Sequence, residues 1–546
     1  MTTRSIHEVA DQLEIAAEHR TPYGRGALKI AHAAMEGSSR KGKLVGVTAI
    51  TPTPAGEGKT TTSVSLAMGL DRIGTKSIVA LREPSLGPVF GIKGGGTGGG
   101  KATIEPQDTI NLHFTGDLHA IGSAHNLLAA LIDNALHFRS DLGLDARRVT
   151  WPRVMDMNDR ALRDIMVAMG GHGAPRQTRF DITAASEVMA TLCLAESLSD
   201  LRDRLARIVI GQRADRSEVT AGDLDAADAM TALLKDALEP NLAQTSEGTP
   251  ALVHGGPFAN IAHGCSSVVG TRMGLALADV CVTEGGFGFD LGGSKLLDIA
   301  CRSGGFWPDL MVVVATARAL KMHGGAPLKE CAARNDEALA AGLGNLDAHL
   351  DGVAAFGLPA VVAINRFADD ADEELALIRA HCEARGSVAV PCEGFAKGGE
   401  GAEDLARAVK KALDASTGTS PQYLYDVADS YETKIEAIAT KLWGADGVTF
   451  EPAARRAIKR FEKNGHGGLP VCPAKTFRSI SDNAKLVGRP TGFTVTVREV
   501  RLAAGAGFVV PVLGDTMTMP GLPRRPASKD VRILDNGRIT GLMQEA

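Results

Sequence analysis

Residues Thr51 to Thr61 read Thr-Pro-Thr-Pro-Ala-Gly-Glu-Gly-Lys-Thr-Thr, and they constrain this chain more than any other segment. An apolar run, Leu44 to Ile50, leads into them, and a helical pattern, Val64 to Leu70, leaves them. A strand, a glycine-bearing turn, Lys-Thr and a helix form a cradle for a nucleoside triphosphate. Backbone N–H groups of the turn and of the helix N-terminus face the phosphates. Thr53, Pro54, Ala55, Gly56, Glu57, Gly58, Lys59 and Thr60 are the expected cradle. Lys59 would reach the β- and γ-phosphates, and the Thr60 hydroxyl would bind Mg²⁺. The common pattern has Gly where Thr53 stands, five residues before Gly58.

Short apolar runs recur along the chain and end in polar or glycine-rich turns. They are Leu44–Ile50, Ser77–Leu81, Ala251–Val253, Val280–Thr283, Leu310–Ala315, Ala360–Ile364 and Ser387–Val390. Helical patterns such as Ile121–Phe138 and Ala402–Leu413 separate them. Alternating elements with near-continuous apolar strands predict an α/β fold, a parallel sheet of P-loop NTPase type covered by helices. A chain of 546 residues is too long for one core, so additional smaller domains are expected. The reading divides it into 1–150, the first part of the nucleotide-binding domain, and 151–244, a helical inserted subdomain with few strand runs. The second part of the nucleotide-binding domain follows at 245–420, and a C-terminal domain at 421–546, after a linker at Ser416 to Pro421.

Composition excludes several classes. The net charge of −5 and the lack of a Lys/Arg run with interleaved aromatics argue against a nucleic-acid surface. No run of about 18 apolar residues exists, so no membrane span is expected. Residues 1–20 carry no apolar h-region, so no signal peptide is expected. The eight cysteines form no Cys-x-x-Cys, and buried free thiols in a reducing cytoplasm are the expectation.

Ligands of an open parallel sheet bind beyond the carboxyl ends of its strands. Arg82-Glu83-Pro84-Ser85, His254-Gly255-Gly256-Pro257, Glu284 to Gly288, Asn365-Arg366-Phe367 and Glu393-Gly394-Phe395 all take that place. Gly94 to Gly100 holds six glycines in seven residues, flanked by Lys93 and Lys101. Such a run is costly to order, and a loop folding over phosphates is the expectation.

With these segments the chain resembles the formate–tetrahydrofolate ligase family. The signatures include Arg82 to Pro88, Asp108 to Asp117, Asp156 to Arg160, His254 to Cys265, Val314 to Gly325, Lys397 to Gly401 and Thr518 to Pro523. The resemblance spans nearly the whole chain. It implies ligation of formate to tetrahydrofolate with ATP and Mg²⁺, through formyl phosphate, giving 10-formyltetrahydrofolate, ADP and phosphate. It makes Lys59 and Arg82 the catalytic cations, Arg82 holding the formyl phosphate. Phe367 and Phe395 fall on the two aromatics that clamp the p-aminobenzoate of folate, with Phe395 where relatives usually carry Trp. A cytoplasmic homotetramer and activation by a monovalent cation are further expectations of the resemblance.

Departures from the family pattern cluster near the ligand segments. They are Thr97, Lys101, Ala135, Ser266, Gly285, Phe289, Gly293, Ser294 and Phe477-Arg478. Phe289 puts a large ring where the family has a small residue. Two alternatives therefore stay open at this point. One is a diverged ligase using another small carboxylate or an altered pterin. The other is a non-catalytic nucleotide-binding protein.

Overall fold

The computed structural model describes all residues except 1–3, 37, 39–41, 55, 94, 417, 515 and 543–546. Ala55 of the cradle, Gly94 of the glycine run and Thr417 of the expected linker thus lie outside the described residues.

Seven strands coincide with the seven apolar runs: β1 (Lys43–Ala49), β2 (Ser77–Leu81), β3 (Pro250–Val253), β4 (Val280–Glu284), β5 (Leu310–Ala315), β6 (Ala360–Asn365) and β7 (Val388–Cys392). They lie in the order β3-β2-β4-β1-β5-β6-β7, and every neighbouring pair is parallel. Arg20–Tyr23, Ala27–Ile30 and Asn241–Thr245 extend the sheet antiparallel beyond β3.

Alternation along β5 explains the two-faced burial. Leu310, Val312 and Val314 enter one apolar cluster with Val64, Leu66 and Leu405. Met311, Val313 and Ala315 enter the opposite cluster with Leu339, Leu346 and Val353. A period of two with both faces apolar requires helices on both sides. They are α1 (Lys59–Arg72) and α3 (Glu403–Ala415) on the first face, and α2 (Asp336–Ala355) on the second. Each buried leucine or valine of this kind contributes about 1.5–3 kcal/mol by leaving water.

The chain runs outward from β1 to β2 and β3, returns to β4, and then proceeds to β5, β6 and β7 on the other side. The direction of winding reverses at β1, and the crevice at its carboxyl end is where such sheets bind ligands.

Residues 151–244 hold helices at Glu187–Leu194, Leu198–Ala206 and Ala227–Leu234. They also hold short strands such as Arg153–Met155, Phe180–Ile182 and Val209–Gln212. Strands of three or four residues are too short to reveal alternation in sequence.

The eight cysteines are all buried and free. Among the described residues, no helix is long and apolar enough to cross a membrane.

Candidate functional site

The loop after β1 is held open by specific braces. Gly56 and Gly58 have φ of +80° and +71°, a backbone region that side chains disfavour. A Cβ on Gly58 would lie 2.4 Å from Asn365 Nδ2, so the position excludes one sterically as well. The buried Glu57 carboxylate accepts the Thr53 N–H at 2.7 Å and the Thr316 hydroxyl at 2.6 Å. Asn365 Nδ2 donates to the Glu57 carbonyl at 3.1 Å. Strand ends β5 and β6 therefore shape the loop, and Glu57 faces its interior. Thr51 donates its N–H to Asn345 Oδ1 at 3.1 Å, and its carbonyl lies 2.8 Å from His323 Nε2. Thr53 is buried and Pro54 exposed.

Gly58 ends the loop, and Lys59 and Thr60 open α1, a helix of 14 residues. Its first N–H groups and the positive end of its dipole face the crevice. Three further charged or polar groups converge there. Thr60 Oγ1 lies 3.0 and 3.2 Å from the two Glu284 carboxylate oxygens, at the end of β4. Arg82 Nη2, at the end of β2, lies 3.7 Å from Glu284 Oε1. Its Nη1 donates to the Pro257 carbonyl at 3.3 Å. A Cβ on Gly286 would come within 3.2 Å of Arg82 Nη2, so the glycine leaves the guanidinium its room.

Electrostatics at this cluster work against the ammonium of Lys59. Burial lowers its pKa, Glu284 and Glu57 oppose that shift, and Arg82 reinforces it. Lys59 and Arg82 give the crevice two cations that suit a phosphate, set against the carboxylates of Glu284 and Glu57. Arg82 pairs with Glu284 and not with its neighbour Glu83. The Glu83 carboxyl points inward and is pushed well above the usual range, first by burial and then by Asp117.

Phe367 and Phe395 follow β6 and β7, which are adjacent strands. Arg318 stacks over the Phe367 ring, its guanidinium carbon 4.5 Å from the centroid. Phe395 is half-buried against the glycine run. Gly98–Gly99 pair with Ala102–Glu105, and the Lys101 N–H donates to the Phe395 carbonyl at 2.8 Å. Cβ atoms on Gly99 and Gly100 would lie 3.1 and 2.9 Å from that ring. Close packing of a hairpin on Phe395 thus accounts for these glycines.

Several departures resolve into packing. The Phe289 ring is fully buried and meets Phe356 edge-on at 5.8 Å. Cβ atoms on Gly293 and Gly352 would lie 2.6 and 2.9 Å from it, so the ring fills space that two glycines leave. Ser294 donates to the Leu291 carbonyl at 3.0 Å, and Ser266 to the His254 carbonyl at 3.3 Å. Thr97 is buried and accepts from Asn111 Nδ2 at 3.0 Å, whereas Lys101 is exposed. Ala135 is buried in the helix Asp117–His137.

Lys59, Thr60 and Arg82 are therefore one cluster, and Phe367 and Phe395 lie two and three strands from β1. Glu284 and Asn365 stand in strand-end segments that the sequence marks as ligand positions, but their partners, and the part of Thr316, appear only in the structure. Their common signal was position, each just at or past the end of a central strand.

Comparison with known proteins gives one consistent result. The family described as formate–tetrahydrofolate ligase matches residues 1–543. A relative from Myxococcus xanthus bearing that name is 56% identical over 549 residues, covering 100% of both chains. One from Methylorubrum extorquens is 54% identical over 547 residues, covering 99% of this chain and 98% of its own. One from Symbiobacterium thermophilum is 54% identical over 542 residues, covering 98% and 97%. Both carry the same name.

Proposed function

The chain belongs to the formate–tetrahydrofolate ligase family, and we propose that it joins formate to tetrahydrofolate at the expense of ATP. The products are 10-formyltetrahydrofolate, ADP and phosphate. The observation that carries the catalytic assignment is the convergence of Lys59, Thr60, Arg82 and Glu284 at the crevice beside β1. Full-length relatives of the same name favour this reading over a diverged or non-catalytic protein.

In the first step a formate oxygen attacks the γ-phosphorus, the bond to the β-bridging oxygen breaks, and ADP leaves. Charge gathers on the transferred phosphoryl and the leaving oxygen, so fixed cations lower the barrier. Lys59 takes that role from the helix start. Arg82 presents a planar fork that fits the phosphoryl or carboxyl oxygens of formyl phosphate in bidentate fashion. In the second step N10 of tetrahydrofolate attacks the formyl carbon, phosphate leaves, and the amine loses a proton. Phe367 and Phe395 sandwich the p-aminobenzoate ring and aim N10 at the acyl carbon.

The Thr60 hydroxyl and Glu284 carboxylate are hard oxygen donors already within 3.0 Å of each other, and they fit Mg²⁺. When bound with ATP, Mg²⁺ neutralises phosphate charge. Thr60 and Glu284 are the residues that would hold the ion.

The same reading extends to the division into 1–150, 151–244, 245–420 and 421–546, to a cytoplasmic homotetramer, and to a monovalent-cation activator. Light scattering on the purified protein tests the tetramer, and turnover with and without monovalent salt tests the activator. The deciding experiment measures ADP release with and without formate and tetrahydrofolate, and follows the folate product by absorbance. Turnover that needs all three substrates is expected. Lys59→Ala should lower kcat by about 10²–10³-fold, the range for loss of one transition-state electrostatic donor. ATP hydrolysis indifferent to formate would remove the ligase reading.

A further inference from the structure

Two motifs are left without a task by the steps above, the glycine run before Lys101 and the stretch Thr518 to Pro523. The chain itself joins them. Residues 518–542 form a strap that starts against Asp181 and ends on the glycine run. At its start the Thr518 hydroxyl donates to Asp181 Oδ1 at 2.5 Å, and the Thr518 carbonyl accepts the Ile182 N–H at 2.8 Å. The Met519 carbonyl accepts from Arg163 Nε at 2.9 Å, and the Leu522 carbonyl accepts from Arg160. The turn Ala527–Lys529 then packs on Val89–Lys93, and a hairpin of Arg532–Ile533 with Ile539–Thr540 leads to Leu542.

The end of the strap is its buried anchor. Ile533, on the hairpin, is 74% exposed, whereas Leu542 is 1% exposed and its carbonyl accepts the Gly95 N–H at 2.8 Å. Gly541 has a φ of +73°, and a Cβ there would collide with the Asp530 carbonyl, so glycine lets the chain turn inward to that anchor. From Gly95 a chain of contacts leads to Phe395. Gly96 donates its N–H to Asn111 Oδ1 at 2.6 Å, and Asn111 Nδ2 donates to Thr97 Oγ1 at 3.0 Å. The Thr97 carbonyl accepts the Ile104 N–H at 2.9 Å, which sets the hairpin of Gly98–Gly99 with Ala102–Glu105. That hairpin holds the Phe395 carbonyl through the Lys101 N–H, and its Gly99 and Gly100 lie against the Phe395 ring.

The phosphate-site cations are braced elsewhere. Glu57, Thr316 and Asn365 hold the loop before Lys59. Gly96 lies against Pro84, but the turn after Arg82 is fixed by Asp156, which accepts the Ser85 hydroxyl at 2.5 Å and the Leu86 N–H at 3.0 Å. A shift at the end of the strap therefore reaches Phe395 and leaves Lys59 and Arg82 in place.

We propose that Leu542 is a positioning residue for tetrahydrofolate: it seats the strap on Gly95, fixes the glycine hairpin, and through it sets the Phe395 side of the folate clamp. This rests on the ligase reading above and on Phe395 as a folate contact.

The test uses the full-length protein with Leu542→Ala, Leu542→Val and Leu542→Met. Amide hydrogen exchange is followed at Lys101 and Ile104, and Michaelis constants for ATP and tetrahydrofolate are measured with the denaturation midpoint of each variant. Leu542→Ala should speed exchange at both amides and raise the tetrahydrofolate constant by about 3–10-fold, the range for a loosened aromatic contact. The ATP constant should stay within about twofold of the parent, because the phosphate loop keeps its own braces. Leu542→Met conserves volume and should return both readouts to within about twofold of the parent. Leu542→Val removes less of the side chain and carries the test if Leu542→Ala does not fold. The proposal fails if the tetrahydrofolate constant does not move, if exchange in the hairpin is unchanged, or if both constants shift together with the denaturation midpoint. Phe395→Ala in the same assay separates the two premises: a tetrahydrofolate constant indifferent to it would refute the clamp. A parent protein that shows no formate-dependent turnover would instead refute the ligase reading itself.

Discussion

Phe289→Ala, Gly293→Ala and the double variant close a thermodynamic cycle on the most conspicuous departure from the family pattern. The Phe289 ring has no solvent exposure, and a Cβ on Gly293 would lie 2.6 Å from its Cδ2. Removing the ring alone empties a core site and should cost about 3–5 kcal/mol. Adding the methyl alone forces the ring or Thr48, whose Oγ1 lies 2.8 Å from the same point, to give way. That overpacking should cost about 1–3 kcal/mol. In the double variant the methyl enters space the ring has left, and Ala replaces Gly in a helical turn, a gain of up to about 1 kcal/mol. The two changes should therefore couple favourably by about 1–3 kcal/mol, within the range for residues in contact. Guanidinium denaturation followed by circular dichroism measures the cycle. The kinetic constants for all three substrates should stay near those of the parent, because the ring is sealed inside the protein. Costs that add to within about 0.5 kcal/mol would refute the paired-packing argument. A large change in the tetrahydrofolate constant would show that Phe289 belongs to the ligand site after all.

Arg82→Lys should lose most turnover although it keeps the charge, since a point cation cannot reproduce a bidentate fork; ATP affinity should change less than kcat, and the reverse order would move Arg82 to the nucleotide. Phe367→Ala and Phe395→Ala should each raise the tetrahydrofolate constant by roughly 1–2 kcal/mol equivalent, with ATP unaffected. Phe395→Trp should preserve folate binding if the hairpin at Gly99 and Gly100 shifts to admit the larger ring; a collapse of folate binding would show that the hairpin is rigid. Four buried imidazoles should each favour unfolding in acid. Burial lowers the pKa of His125, His254 and His349 to about 4 and of His263 to about 3, against an ordinary 6.5. The unfolded chain binds more protons at these four sites between about pH 6.5 and 4, so their contribution is full above that window and is lost as pH falls through it. Glu187 and Asp298, raised by burial to about 7, act with the opposite sign between their unfolded values and pH 7. Glu83 and Asp156 are raised by burial as well, so the imidazole contribution is read from His263→Gln, which should lessen the loss of denaturation midpoint as pH falls from about 6.5 to 4; no change would contradict the burial argument.

Local chemistry was enough to place the seven parallel strands of the central sheet and the phosphate loop, though not the antiparallel strands Arg20–Tyr23, Ala27–Ile30 and Asn241–Thr245. Every parallel strand announced itself as a continuous apolar run, because both of its faces are covered. Gly56, Gly58, Lys59 and Thr60 were legible because a left-handed loop and a helix start each demand particular residues at adjacent positions. Partnership across the sheet was not legible. Thr60 and Glu284 are 224 residues apart and meet only because β4 lies beside β1. Asn365 reaches the loop across 308 residues, from a strand two places away. The meaning of Phe289 was likewise closed to sequence reading, since its complement is the absence of two side chains, at Gly293 and at the distant Gly352. Periodicity and motif record what each residue requires of its immediate neighbours. Which strand lies beside which, and which void a ring fills, is set by the packing of the whole chain, and that decided the partners of Lys59, Thr60 and Arg82.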